Sequence, residues 1–183
     1  LIRRLASQDG EAVDGERLGM LETIRAFALE RLEAAGEEES VRHAHAAWVL
    51  ELAEAADAGQ QTHERATRYR RLDAEHDNAR AALGWALETG ERETALRIAA
   101  ALWGYWETRG FLTEGRTWLE RALAAAGDAG VRFVAAARRG AGALARNQGD
   151  LDRAQEHSEI GLRLFEEDGD ERGIAAMLIN LGN

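Results

Sequence analysis

Glycine falls at near-regular intervals through the second half of this chain, and the stretches between carry helical periodicity. Gly90 and Gly110 lie 20 positions apart, Gly110 and Gly149 lie 39 apart, and Gly142 and Gly182 lie 40 apart. A helix with its turn takes about 20 residues, so a spacing of about 40 is one helical hairpin. The residues at these glycines are near-repeats. Gly90-Glu91-Arg92-Glu93-Thr94-Ala95 resembles Gly149-Asp150-Leu151-Asp152-Arg153-Ala154. Gly110-Phe111-Leu112-Thr113-Glu114-Gly115 keeps the same phase, with Gly115 where the others have alanine. A small residue is expected there because two helices of one hairpin approach closely.

Earlier in the chain, Leu1 to Leu5 and Arg17 to Leu21 flank a polar stretch with Asp9-Gly10 and Asp14-Gly15, which are turn formers. They predict a small N-terminal β-hairpin, which needs a packing partner to be stable. After Leu21 the pattern is helical. Ile24, Phe27, Ala28, Arg31 and Leu32 follow i, i+3, i+4 spacing up to Gly36. Val41, Ala44, His45, Trp48, Leu52 and Ala55 predict the apolar face of a second helix. Residues 58–61 form a short linker. A third helix is expected from about Thr62 to Leu72, and a fourth carries Ala79, Ala82, Leu83 and Ala86 and stops at Gly90.

Composition narrows the chemistry. The 183 residues include no cysteine, which excludes disulfides, thiolate zinc sites and cysteine nucleophiles. All 23 basic residues are arginine, so a Walker-A lysine, a Schiff-base lysine and a Ser–Lys dyad are absent. A net charge of -10 opposes direct binding to nucleic acid or to an anionic membrane. No apolar run approaches the length of a membrane span. The chain begins at Leu1 without a signal-peptide pattern, and the expectation is a cytoplasmic piece of something longer.

The run Ala141-Gly142 through Gly149-Asp150-Leu151, Ala154 and Gly161-Leu162 resembles a tetratricopeptide (TPR) repeat, and Leu181-Gly182 falls at the Leu-Gly position of the next. Arg138 stands where that pattern has an aromatic residue and Ala145 where it has tyrosine. The first part resembles something more specific. The segment from Met20 to Leu32, the segment Arg42 to Trp48, the run Leu72 to Leu83, and Ala101 to Trp106 with Trp118 to Leu123 resemble the sensor region of bacterial STAND-type ATPase regulators of the LuxR-like or AfsR/SARP-like kind. In that family an NTPase module precedes a winged helix and a TPR-like array, with a DNA-binding domain at one end. The resemblance implies that residues 1–21 are the wing of a truncated winged helix, 22–58 a two-helix connector, and 62–183 TPR-like repeats cut within the last one. The fold expected is all-α, a right-handed solenoid of antiparallel helical hairpins with a small N-terminal β-hairpin.

Chemical constellations are sparse. His43 and His45 lie about 200° apart on a helix, and His63, His76 and His157 are isolated, so no metal site is expected. His76-Asp77-Asn78 has the residue types of a catalytic pair, but Asp77 or Asn78 reads better as a helix start. Gly140-Ala141-Gly142 lies in a helical region, where close packing explains it better than a phosphate cradle. Trp48, Trp85, Trp103, Trp106 and Trp118 are expected mainly in the core. Arg65, Arg68, Arg70 and Arg71 are diluted by acids and read as a solvated face. In TPR-like arrays the first helix of each hairpin lines a groove. Arg139, Arg146, Asn180 and Asn183 fall at groove-facing phases, where arginine and asparagine suit a carboxylate, a phosphate or a peptide backbone. Ala143 stands where carboxylate-clamp repeats have asparagine.

The function expected is a sensor or interaction module of a cytosolic transcription regulator. It would bind a protein, peptide or small effector in the groove and couple it to attached ATPase and DNA-binding domains. The alternative is a constitutive scaffold for protein assembly. No catalytic residue and no cofactor is expected in these residues. Ile174, Met177, Leu178 and Leu181 form a terminal apolar stripe, through which self-association is expected.

Overall fold

The computed structural model describes residues 2–4, 18–58 and 62–182. Contacts divide the chain into two units, Leu1–Ala44 and His45–Asn183. In the first, strands β1 (Ile2–Arg4) and β2 (Leu18–Met20) pair antiparallel, with Arg3 opposite Gly19. The turn dipeptides Asp9-Gly10 and Asp14-Gly15 lie outside the described residues. Helix α1 (Glu22–Ala35) follows and closes on Gly36 at φ 70°. Ile24, Ala28, Leu29 and Leu32 are half-buried on it, and Phe27 is exposed. Helix α2 (Glu38–Asp57) starts in this unit and runs into the second.

The described part of the second unit is helical throughout: the rest of α2, then α3 (Thr62–Thr89), α4 (Arg92–Arg109), α5 (Leu112–Ala124), α6 (Val131–Asn147), α7 (Leu151–Asp168) and α8 (Glu171–Gly182). Gly90, Gly110, Gly149 and Gly169 all adopt φ between 74° and 79°. That left-handed conformation is cheap only for glycine, and at Gly110 and Gly169 the backbone N–H groups there close back on the last helical carbonyls. The spacing of Gly90, Gly110 and Gly149 is thus the sequence trace of helix ends, whereas Gly142 lies inside α6 and Gly182 within α8. The connections after α3, α4, α6 and α7 are so short that neighbouring helices must run antiparallel.

Packing is stepwise. Helix α4 lies against α3, α5 and α6; α6 lies against α4, α5, α7 and α8; and α7 lies against α8. One apolar cluster runs from Ala46 on α2 to Leu144 on α6, centred on Leu83, Leu96, Ile98, Leu102, Tyr105, Trp106 and Leu119. A second joins Ala135, Phe165 and Met177. The small residue expected at Gly115 has its reason: a Cβ there would come within 2.6 Å of the Trp106 ring and 2.8 Å of Leu144.

Two local expectations need correction. Residues 62–89 form one helix of 28 residues, about 42 Å long, not two. Asp77 and Asn78 are therefore interior. No proline interrupts the segment, and the residues poorest in helix propensity are anchored. Asp73 accepts two bonds from Arg109 at 2.8 and 2.7 Å, Arg80 donates to Asp77 at 3.1 Å, and Asn78 donates to Glu75 at 2.6 Å. On α2 the buried face is Ala46, Val49, Leu52, Ala53 and Ala56, one position round from the expected face; Trp48 stays 38% exposed, stacked near His45.

Leu119 and Leu144 are both fully buried. Leu119→Ala and Leu144→Ala should each cost about 2–5 kcal/mol, whereas Arg163→Ala on an exposed position should cost under about 0.5 kcal/mol. Urea midpoints of the three variants check this.

Candidate functional site

The groove-phase residues sit on α6 and α8. Arg139 lies over the Trp103 ring of α4, its guanidinium carbon 5.7 Å from the ring centroid. The Arg139 Nε and Trp103 Nε1 groups are both sealed from solvent and lack a hydrogen-bond partner. Seven positions along α6, Arg146 reaches α8 and donates to both the backbone carbonyl and the side-chain oxygen of Asn180. The structure thus joins Arg146 to Asn180 and sets Arg139 apart against Trp103. Asn183 lies outside the described residues.

The histidine constellation resolves differently from its sequence order. His76 Nε2 meets Glu114 of α5 at 3.0 Å, not Asp77. Arg80 grips the same carboxylate with two bonds of 2.7 and 2.6 Å. Those bonds hold Glu114 below the usual carboxylate range, so it is a fixed anion and a poor proton acceptor. His76 also packs on Tyr105 and Phe111, and the group clamps α3 to α5. Of the tryptophans, Trp85 and Trp106 are buried, and Trp103 and Trp118 are half-buried.

A second site lies among α5, α6 and α7 and has no counterpart in the residues chosen above. A cavity of about 250 Å³ is lined by Leu123, Ala124, Arg138 and His157, with Glu120, Arg153 and Glu156 at the same wall. Close approach of α6 to α7 builds it: a Cβ on Gly142 would lie 3.4 Å from His157 Cβ and 3.3 Å from the Ser158 hydroxyl. His157 is only 2% exposed. Arg138 Nη1 lies 3.1 Å from His157 Nδ1. A guanidinium can only donate, so Nδ1 accepts and the ring proton sits on Nε2. That Nε2, like Arg138 Nε, is buried without a partner. The carboxylates nearby are engaged elsewhere: Glu156 with Arg153 at 2.6 Å and Glu120 with Arg116 at 2.9 Å. The one sequence signal for this site is Arg138 itself, a charged residue where the repeat pattern has an aromatic one.

No group of three or more metal-ligating side chains converges among the described residues, and no described helix is long and apolar enough to cross a membrane. Over 108 residues, 58% of its length, the chain is 35% identical to "Putative HTH-type transcriptional regulator Rv0890c" of Mycobacterium tuberculosis (strain ATCC 25618 / H37Rv). The same identity and extent hold for "Putative HTH-type transcriptional regulator Mb0914c" of Mycobacterium bovis (strain ATCC BAA-935 / AF2122/97). The chain spans 12% of the length of these relatives. No protein-family model and no solved structure matches it.

His157 makes stability depend on pH. Burial lowers its pKa first, and the charges of Arg138 on α6 and Arg153 on α7 lower it further, against smaller opposite effects of Glu156 on α7 and Glu120 on α5. The unfolded ring takes its proton near 6.5, and the folded ring only at lower pH. Protons therefore favour unfolding. Stability is full above about pH 7, falls as pH drops through 6.5, and levels off below the folded ring's own pKa. Urea denaturation over this range should show that slope in the wild type and a shallower one in His157→Gln.

Proposed function

We propose that this chain is the sensor and interaction module of a larger cytosolic transcription regulator, built as a TPR-like stack of helical hairpins. The observation that carries the reading is the packing order: α4, α6 and α8 lie one on the next, while α5 and α7 each wedge between successive members. Repeat arrays pack this way, and their first helices line a concave binding surface. The similarity to regulators named as HTH-type supports the regulatory role. On this reading β1 and β2 belong to the wing of a winged helix, and ATPase and DNA-binding parts are supplied by a longer chain. The module itself does no chemistry and binds neither nucleic acid nor membrane.

The groove ligand is a protein, a peptide or a small effector. Arg139, held over the Trp103 ring, would present it with a fixed cation beside an aromatic face. Arg146 and Asn180, already joined, set the spacing between α6 and α8. A ligand that prefers one curvature of the stack would bias the attached domains by its differential affinity.

A specific observation also favours a constitutive scaffold: Leu178, Ile179 and Leu181 on α8 are 53%, 63% and 38% exposed. A library of labelled tetrapeptides with free C-termini, read by fluorescence anisotropy, separates the two readings. The sensor reading expects a binder weakened at least about tenfold by Arg139→Gln and untouched by Arg163→Gln. The scaffold reading expects no binder, and a mass by light scattering that rises with concentration and is returned to monomer by Leu178→Glu. Equal peptide binding by wild type and Arg139→Gln would overturn the groove assignment.

A further inference from the structure

We propose that the cavity among α5, α6 and α7 binds a small aliphatic monocarboxylate, its carboxylate held by Arg138 and its hydrocarbon tail lying on Leu123 and Ala124. This site is separate from the groove residues and does not depend on the groove reading.

The argument begins with hydrogen-bond accounting. A guanidinium carries five N–H groups in a planar fork. Among the described residues Arg138 makes one hydrogen bond, through Nη1 to His157, and pairs with no carboxylate. Its Nε is sealed from solvent without a partner. Five of the ten other arginines on α4 to α7 differ: Arg92, Arg97, Arg109, Arg116 and Arg153 all pair with acids. A half-buried cation left without its counter-ion is costly unless something supplies the missing charge. The site is also built to keep that cation in place. His157, 98% buried by the complement of its 2% exposure, turns its lone acceptor nitrogen to Nη1. The ring is thereby neutral, and its remaining donor Nε2 is buried without a partner, in a residue that lines the cavity.

The surroundings choose among anions. Glu120 and Glu156 share the wall, and although each is paired, their charges repel a dianion more than a monoanion. A carboxylate matches the guanidinium fork with two parallel bonds, and Leu123 and Ala124 give its chain an apolar surface that inorganic phosphate cannot use. The site, about 250 Å³ and open to solvent on one side, is large enough for a short-chain acid.

Sodium butyrate is the probe, titrated into the isotopically labelled chain at constant ionic strength. The readouts are the NMR signals of the Arg138 Nε–H group and the His157 ring. The expected result is saturable shifts at both, with a dissociation constant in about the millimolar range. Arg138→Met, which keeps the aliphatic stem, should abolish them. Ala124→Glu, at an exposed position of the wall, leaves Arg138 and the fold intact and should weaken binding at least about tenfold by adding a like charge. Arg163→Met, on an exposed position of α7, should change nothing. Shifts that never saturate, that sodium chloride reproduces, or that survive both Arg138→Met and Ala124→Glu would overturn the proposal. Tighter binding of sodium phosphate than of butyrate would overturn the choice of a monocarboxylate.

Discussion

Helix α6 must fit against α4, α5, α7 and α8 at once, and it can do so because its contact positions are small. Ala135, Ala137, Gly140, Ala141, Gly142 and Ala145 are buried on it, with Leu144 the one large residue fully enclosed. Side chains of this size let helix axes approach to about 8 Å. The neighbours supply the bulk: Trp106 and Leu119 from one side, Phe165 and Met177 from the other. Because α6 is apolar on most of its circumference, its arginines take the gaps between neighbours. Arg139 goes to Trp103, Arg146 to Asn180 and Arg138 to His157. The candidate sites are therefore by-products of how crowded this helix is.

Register along the stack is set by arginine. With no lysine in the chain, cross-helix pairs use the planar fork: Arg109 with Asp73, Arg80 with Glu114, and Arg116 with Asp150 at 2.6 Å. Exposed pairs of this kind contribute about 0–1 kcal/mol each. Their larger effect is geometric, since each fork accepts one orientation and ties α3 to α4, α3 to α5, or α5 to the start of α7. Such fixed spacing is what a groove formed by successive helices needs if it is to respond to a ligand as a unit.

Features that depend on local backbone chemistry were legible from the residues alone. A left-handed helix end selects glycine, so Gly90, Gly110 and Gly149 mark true termini. Close approach selects small residues, so Gly115 and the Gly140-Ala141-Gly142 run could be placed at helix contacts. Features set by distant partners were not. Asp77 and Asn78 have the character of cap residues, and only Arg80, Glu75 and the fork between Arg109 and Asp73 show why α3 runs through them. On α2 the buried face lies one position round from the expected one, and three of its five residues are alanines, which carry little periodic signal. Arg146 and Asn180 stood out separately in the sequence, and the bond that joins them spans 34 positions and was not legible. The cavity at His157 likewise depends on distant partners, and Arg138 at an aromatic position is its one local trace.

If α6 is the element on which the stack is assembled, it cannot open without the rest. Native-state hydrogen exchange in low denaturant measures this directly. Amides of Ala135 to Ala145 should exchange only through global unfolding, with the full denaturant slope of the whole unit. Exchange of those amides through a smaller opening, while α4 and α7 remain protected, would contradict the account.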